Sequence, residues 1–379
     1  MASIVGKKSG LTWAVHLSVA FLVAIWLFPT VGLLVSSFRS ADQIASSGWW
    51  SALSTQERQV PPVRVSGDET EQGGSFVIAG SLFDGASTTV TAWGTSSREP
   101  EAYEPGQSVD MGDGQTLTVS ENGDFTLSGP ESFEGARLPR IFTTASTPPD
   151  FTLDNYRNVL FSSTAAAGVG QSFINTLTVA IPATIIPILI AAFAAYALAW
   201  MEFPGRALLI AAVVGLLVVP LQLALIPVLQ LHNDIGIGKG YLGVWLAHTG
   251  FGLPLAIYLL RNYMVGLPKD IIENAKVDGA TDFQIFIKII LPLSFPALAS
   301  FAIFQFLWTW NDLLVALVFL GTDDQTLVLT ARLVNLLGSR GGQWEILAAS
   351  AFVSIAVPLV VFFAMQRYLV RGLLAGSVK

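Results

Sequence analysis

Six long apolar stretches constrain this chain more than any other feature of its sequence. Each is long enough to cross a bilayer, because about 20 consecutive apolar residues span the hydrocarbon core as a helix. Hydrophobic residues make up 52% of the chain and charged residues only 12%, a composition typical of membrane proteins. We therefore expect an all-α polytopic membrane protein with six transmembrane helices. The stretches lie at residues 11–37, 171–200, 206–230, 241–265, 292–320 and 345–370.

Lys and Arg beside these stretches predict their orientation. If the N-terminus lies inside, the inner flanks carry ten basic residues and the short outer loops carry three. The flanks richer in Lys and Arg stay in the cytoplasm, so both termini are expected there. The inner set is Lys7, Lys8, Arg206, Arg261, Lys269, Lys276, Lys288, Arg367, Arg371 and Lys379, and the outer set is Lys239, Arg332 and Arg340.

Residues 40–150 form a polar insert between the first and second apolar stretches. Most of the chain's acidity lies here, since residues 39–160 hold 17 acidic and 7 basic side chains. Alternating apolar residues and a turn at Glu121-Asn122-Gly123 favour a small β-rich extracytoplasmic domain, and a disordered acidic loop is the alternative. Strands are predicted at Ser75–Phe83, Ser87–Trp93, Thr116–Ser120 and Asp124–Ser128, with flexible tethers near 54–72 and 143–150. The predicted domains are 1–39, 40–150 and 151–379.

Residues 268–292 predict two short helices in a cytoplasmic loop. Asp270 is expected to cap the first helix, with Glu273 completing a capping box. Gly279 is well placed to end that helix with a positive φ. Thr281 or Asp282 is expected to cap the second helix, with Gln284 one turn further on.

The spacing of this loop resembles the EAA signature of bacterial ABC-importer permeases. The matching residues are Glu273, Ala275, Asp278, Gly279, Ala280, Ile289, Leu291 and Pro292, and Asn274 departs from the usual Ala. The resemblance implies that this loop docks into a separate ATPase subunit and couples ATP hydrolysis to transport.

The membrane part resembles the second permease subunit of maltose-type carbohydrate importers, with the type I ABC importer fold. Supporting motifs include Gly252-Leu253-Pro254, Trp310-Asn311-Asp312 and the run from Gln366 to Leu373. The long first external loop is similar to that of α-glucoside-type permeases, which implies an α-glucoside cargo. The family implies a second permease, two ATPase subunits with ATP and Mg²⁺, and an extracytoplasmic sugar-binding protein. It also implies a multi-pass location in the bacterial inner membrane.

Polar side chains within the apolar stretches are candidates for the sugar pathway. Ionised groups are costly in lipid, so Asp312 is expected to face protein or water. It either lines the pathway or fixes packing as a helix cap or an interhelical hydrogen bond. With His248 it could instead relay protons in a proton-coupled secondary transporter, which is the alternative function. The full candidate set is Asn175, Gln222, His248, Gln305, Trp310, Asn311 and Asp312.

The sequence lacks the residues that several classes of function require. There is no G-x-x-x-x-G-K-[ST] motif to hold ATP phosphates, and there is no cysteine for disulfides or thiolate metal sites. We predict no catalytic residues, no metal site, no cofactor bound by this chain and no nucleic-acid binding. A membrane-anchored β-domain receptor without a transport role is a third alternative.

Overall fold

The computed structural model describes residues 10–83, 88–161, 168–339 and 343–375. They divide into two compact units, residues 1–153 and 154–379. The first unit begins with α1 (Gly10–Ser37), whose side chains are apolar and exposed along most of its length. A helix that is apolar all round needs an apolar solvent, so α1 is suited to lipid. The short helix α2 (Ala41–Ser46) and a 3₁₀ turn (Trp49–Ser51) follow.

The rest of the first unit is β-rich, as predicted. Its strands form two antiparallel sheets, with the orders β1-β8-β4 and β2-β3-β7-β6-β5. The strands are β1 (Gln56–Arg64), β2 (Glu69–Gln72), β3 (Ser75–Ser81), β4 (Thr89–Gly94), β5 (Ser108–Gly112), β6 (Gln115–Val119), β7 (Asp124–Gly129) and β8 (Arg140–Thr147).

The predicted hairpin joins β6 to β7. Gly123 has a φ of 86°, which glycine adopts without steric cost, and Leu117 pairs with Leu127 across the two strands. Both leucines are fully buried in a core that also holds Trp93. Alternation of buried and exposed residues along β7 produces this one-sided packing. The start of the predicted Ser87–Trp93 strand lies outside the described residues.

The predicted flexible tethers are wrong. The segment 54–72 contains β1 and β2, and β8 extends to Thr147. The β1 strand pairs with β8 and accommodates Pro61 and Pro62 at an irregularity between Val60 and Val63. Proline is tolerated at the edge of a sheet, where its missing N–H is not needed by a second neighbour.

The second unit is helical. Its elements are α3 (Asp154–Phe161), α4 (Gly168–Trp200), α5 (Arg206–Leu216), α6 (Leu221–Asp234), α7 (Tyr241–Val265), α8 (Lys269–Val277), α9 (Asp282–Ile285), a π-helical turn (Phe286–Ile290), α10 (Leu291–Leu293), α11 (Phe295–Trp310), α12 (Leu314–Phe319), α13 (Leu329–Ser339) and α14 (Trp344–Ala375). The α4 helix packs extensively on α7, and α11 packs on α14. Buried alanines on α4, including Ala191 and Ala195, allow close backbone approach.

The transmembrane helices are less regular than the six predicted ones. Within the described residues, α1, α4, α7 and α14 are long and apolar enough to span a membrane. Two bent pairs raise the number to six if each pair is one span: α5 with α6 bends by 111°, and the segment Asp282–Leu293 with α11 bends by 70°. Pro220 lies at the first bend as the N-cap of α6, where its missing N–H interrupts the helix. The predicted span 292–320 also breaks, since α11 ends at Trp310 and α12 begins at Leu314.

Candidate functional site

The first helix of the 268–292 loop is positioned by a proline and an ion pair. Pro268 is the N-cap of α8 and provides no side-chain cap, so the predicted capping role of Asp270 is wrong. Glu273 lies 2.8 Å from the Lys269 Nζ, one turn earlier on the same helix. The hydrogen bond from Lys269 to Glu273 raises the pKa of the lysine. Glu273 is therefore engaged at the start of α8, and its side chain stays exposed.

Gly279 ends α8 as the sequence predicts. Its φ is +80°, in the left-handed region that favours glycine. Its N–H donates to the Lys276 carbonyl at 3.0 Å, and the Ala280 N–H donates to the Ala275 carbonyl at 3.0 Å. These two bonds satisfy carbonyls at the end of α8 and reverse the chain toward α9.

A capping box begins the second helix. The Gln284 N–H donates to the Thr281 hydroxyl at 3.3 Å, and the Thr281 N–H donates to the Gln284 side-chain oxygen at 2.9 Å. After α9, Phe286 and Ile290 are buried. The Phe286 ring centroid lies 4.6 Å from that of Phe193 on α4. The second half of the loop is therefore anchored to the helical core.

The opposite face of this loop is exposed. Val277 is 86% exposed and Phe283 is 65% exposed, so two large apolar side chains point away from the core. Of the predicted residues, Glu273, Asp278, Gly279 and Pro292 are exposed, and Ala275, Ala280, Ile289 and Leu291 are half-buried. An open cavity of about 410 Å³ lies between the end of α4 and the loop, lined by Trp200, Met201, Glu202, Lys269, Ile272, Glu273, Lys276 and Asp282. Exposed apolar groups on an anchored scaffold are typical of a docking surface.

Asn175 holds two parts of the helical unit together. Its amide nitrogen donates to the carbonyls of Gln325, at 2.8 Å, and Leu327, at 3.1 Å. Its side-chain oxygen accepts from the Tyr241 hydroxyl at 3.1 Å and from the Gln171 amide at 3.0 Å. The amide nitrogen and the side-chain oxygen of Asn175 are therefore both hydrogen-bonded within the protein. The side chain holds the loop before α13 against α4.

Three prolines inside the helices are matched by donors from neighbouring helices. A proline at position i leaves the carbonyl at i−4 without its helical partner. Pro187 thereby frees the Ala183 carbonyl, which accepts from the Gln305 amide at 3.1 Å. Pro358 frees the Ser354 carbonyl, which accepts from the Trp310 indole at 2.9 Å.

Pro182 follows the same rule. It frees the Thr178 carbonyl, which accepts from the indole of Trp245 on α7 at 2.9 Å. Sequence reasoning missed these three pairings, although the signal was present as a proline four residues after each accepting carbonyl. Side chains that looked like sugar-binding groups thus satisfy backbone carbonyls that proline leaves without a helical donor.

Asp312 lies one residue before Leu313, the N-cap of α12. Its carboxylate accepts from the Ala316 N–H at 3.0 Å at the start of α12, and its carbonyl accepts from the Thr330 hydroxyl at 2.7 Å. The His248 Nε2 lies 3.7 Å from the carboxylate, beyond hydrogen-bond distance. Neither ring nitrogen of His248 makes a hydrogen bond within the described residues, and the ring is fully buried. Asn311 is exposed and donates to the Leu307 carbonyl at 2.8 Å.

A large open cavity in the helical unit lies beside α7 and α11. This cavity measures about 540 Å³ and is mainly apolar, with Gln305 as its amide group and Trp308 at its wall. Gln222 is exposed on α6 and does not line the cavity. The lining residues are Leu216, Leu217, Val219, Leu221, Ala224, Val228, Leu246, Ala247, Gly250, Phe251, Gly252, Pro254, Leu255, Gln305 and Trp308. Only Gln305 among the predicted pathway residues reaches this space.

Comparison with known proteins identifies the family. Residues 170–374 match the family described as "Binding-protein-dependent transport system inner membrane component". The chain is 65% identical over 379 residues to the alpha-glucoside transport system permease protein AglG of Rhizobium meliloti (strain 1021), covering 98% of each chain. It is 62% identical over 229 residues to the osmoprotective compounds uptake permease protein GgtD of Synechocystis sp. (strain ATCC 27184 / PCC 6803 / Kazusa), covering 60% of this chain and 76% of that protein.

A solved structure is also similar. A bacterial ABC transporter involved in the import of the acidic polysaccharide alginate has a chain with a TM-score of 0.49 and 23% identity, covering 59% of this chain and 81% of that chain. The family match spans more than half of this chain, and it gives no support to the proton-coupled alternative. Together with 65% identity over nearly the whole length, it shows that the chain is a multi-pass inner-membrane permease of the binding-protein-dependent, or ABC importer, family.

Proposed function

We propose that this chain is one of two permease subunits in an ATP-driven carbohydrate importer, and that its cargo is an α-glucoside. The observation that carries the proposal is the 65% identity, over 98% of both chains, to a permease named for alpha-glucoside transport. An alignment that includes the insert as well as the helices favours a shared cargo class. The assignment of the cargo depends on this sequence similarity and not on the fold, because permeases of one fold carry many different cargoes.

The 268–292 loop is the proposed coupling element. Its inner face is anchored through Phe286, whereas Val277 and Phe283 are exposed on the outer face. An ATPase that binds the exposed face would move the loop together with α4, because aromatic packing joins them. Glu273 and Gly279 give the loop its ion pair and its turn. ATP and Mg²⁺ would bind to two partner ATPase subunits, with no cofactor on this chain.

The assembly is proposed to include a second permease and an extracytoplasmic sugar-binding protein. The distribution of Lys and Arg supports cytoplasmic termini and an external β-rich insert. In that orientation the insert is on the side from which the binding protein delivers sugar. Net negative charge on the insert would steer a partner with a basic surface.

The cavity of about 540 Å³ is the proposed contribution of this chain to the sugar pathway. Gln305 offers an amide, and Trp308 offers an aromatic ring of the kind that stacks on sugars. Gly252 lies against Gln305, since a Cβ at this position would come within 2.6 Å of the amide oxygen. Asn175, Trp310 and Asp312 are proposed to shape the pathway indirectly by holding helices in place. His248, Gln222 and Asn311 are candidates that do not line this cavity.

Uptake measurements test the function directly. Cells producing the full set of partners would be given a radiolabelled α-linked glucose disaccharide, with its β-linked isomer as the control sugar. ATP would be maintained while the proton gradient is collapsed. We expect saturable uptake of the α-linked sugar that stops when the partner ATPase is inactivated. Uptake that requires the proton gradient, or that is equal for both isomers, would contradict the mechanism or the cargo, respectively.

A further inference from the structure

The chain doubles back immediately after α1. The Trp49 ring packs on α1, with its centroid 4.8 Å from that of Phe28. It also covers Gly32, where an added Cβ would lie 2.6 Å from the indole nitrogen. Gly32 therefore provides the space that allows the 3₁₀ turn to rest against the helix. The turn contacts α1 well before the helix ends at Ser37.

An arginine stabilises this reversal. Arg39 is only 3% exposed, and its guanidinium donates to the carbonyls of Gln43, at 2.7 Å, and Ser47, at 3.1 Å. Ser40 begins α2 with a capping box to Gln43. The segment from residue 38 to residue 53 thus has its own hydrogen bonds and keeps a defined shape.

The outer face of this segment is apolar. Trp50 is 72% exposed and Leu53 is 83% exposed. Asp42 is the only charged residue between positions 40 and 53. Large apolar side chains exposed on a hydrogen-bonded segment are usually covered by another protein or by lipid. The neighbouring surface of α1 is also apolar and exposed, as expected for a surface in contact with lipid.

Helix length places the segment at the membrane boundary. At 1.5 Å per residue, the 28 residues of α1 are about 42 Å long, compared with a hydrocarbon core of about 30 Å. Gly32 lies five residues from Ser37, or about 7.5 Å below the end of the helix. With α1 centred in the core, the boundary falls about 6 Å from the end of the helix. Trp49 is then level with the transition from acyl chains to headgroups, where tryptophan is enriched in membrane proteins.

We propose that residues 41–53 form an interfacial anchor that lies in the headgroup layer beside the end of α1 and inserts Trp50 and Leu53 among the lipids. The bilayer is the occupant because Trp49 attaches the segment to α1, whose apolar side chains are themselves exposed, and the Trp50 ring centroid lies 6.3 Å from that of Trp49. With a single acidic side chain and no exposed basic cluster, the anchor binds lipid by apolar burial and does not require anionic headgroups. This anchor fixes the start of the β-rich domain at the membrane surface.

The absence of cysteine makes the test straightforward. Leu53→Cys in the full chain, carrying a nitroxide label in lipid nanodiscs, would be compared with labels at Phe21→Cys, in the middle of α1, and Glu71→Cys, on β2. Accessibility to oxygen, which concentrates in hydrocarbon, and to a water-soluble nickel chelate reports depth. Trp50→Cys provides an independent second position.

The expected result is an oxygen-to-nickel accessibility ratio at residue 53 that is several-fold above the value at residue 71 and below the value at residue 21. A ratio equal to that at residue 71 at both positions would overturn the anchor. A label shielded from both reagents would also overturn it, because it would indicate that another protein surface covers this face. Transport activity does not enter the measurement, so its outcome is independent of the proposed cargo.

Discussion

The pairing of Trp310 with the carbonyl freed by Pro358 gives a quantitative prediction. Trp310→Phe removes the indole donor and leaves the Ser354 carbonyl without its 2.9 Å partner. Interhelical hydrogen bonds in membranes contribute about 0.6 kcal/mol on average and about 1.7 kcal/mol at most. Because Trp310 is almost fully buried and packs on Phe173 and Phe306, the substitution also removes packing, so its total cost should reach about 2–3 kcal/mol.

A double-mutant cycle separates the hydrogen bond from the packing. Pro358→Ala restores a backbone N–H that can donate to the Ser354 carbonyl from within α14. In that background Trp310→Phe should cost about 1 kcal/mol less than in the wild type, because the carbonyl no longer depends on the indole. The free energy of unfolding would be measured for all four proteins by denaturation in mixed micelles.

Trp308→Phe is the matched control. Trp308 is two residues away and partly exposed, and its indole takes part in none of the hydrogen bonds found among the described residues. Its cycle with Pro358→Ala should be additive within about 0.5 kcal/mol. Additivity of the Trp310 cycle as well would refute the reasoning that the indole replaces the helical donor.

Four further outcomes are expected. Gly279→Val forces a β-branched residue to a φ of +80° and should abolish sugar-stimulated ATP hydrolysis in a chain that still inserts, whereas Gly279→Asn, which tolerates this conformation, should retain most of it. Thr281→Ala removes one half of the capping box and should destabilise the loop by about 1 kcal/mol, measured as faster amide exchange in α9. Asp312→Asn should retain ATP-driven uptake with the proton gradient collapsed, since an amide oxygen still accepts from the Ala316 N–H; complete loss there would favour a role for the ionised carboxylate. An isolated segment 54–150 should melt cooperatively with a strand-type circular dichroism spectrum, and 70–135, which lacks β1 and β8, should melt at a lower temperature.

Sequence reasoning succeeded where local chemistry determines local structure. Gly279 and Thr281 were predictable because a turn and a cap depend on a few adjacent residues. The β6–β7 hairpin was predictable because its turn and its alternation are continuous in sequence. The β1 strand was missed because its partner, β8, lies some 80 residues later and its own sequence is polar and contains two prolines.

Pathway residues were harder to interpret, for a related reason. The side-chain amides of Asn175 and Gln305 each donate to a backbone carbonyl more than 100 positions away in sequence. A single sequence shows that a polar side chain lies in an apolar stretch. Whether that side chain hydrogen-bonds to a ligand or to a backbone carbonyl depends on the fold. The Trp310-Asn311-Asp312 run illustrates this, because its three side chains contact three different carbonyl or amide groups.

The pairing of β1 with β8 has a consequence for how the β-rich domain could be acquired or exchanged. Gln56, at the start of the domain, lies opposite Thr147, at its end, so entry and exit are separated by one strand spacing of about 5 Å. Because the chain leaves and returns at nearly the same point, the residues between these positions could be lost or replaced while the two ends stay about one strand spacing apart. A short turn could join the two ends. Replacement of the strands between Gln56 and Thr147 by another module with similarly close ends would keep these two attachment points at the same separation.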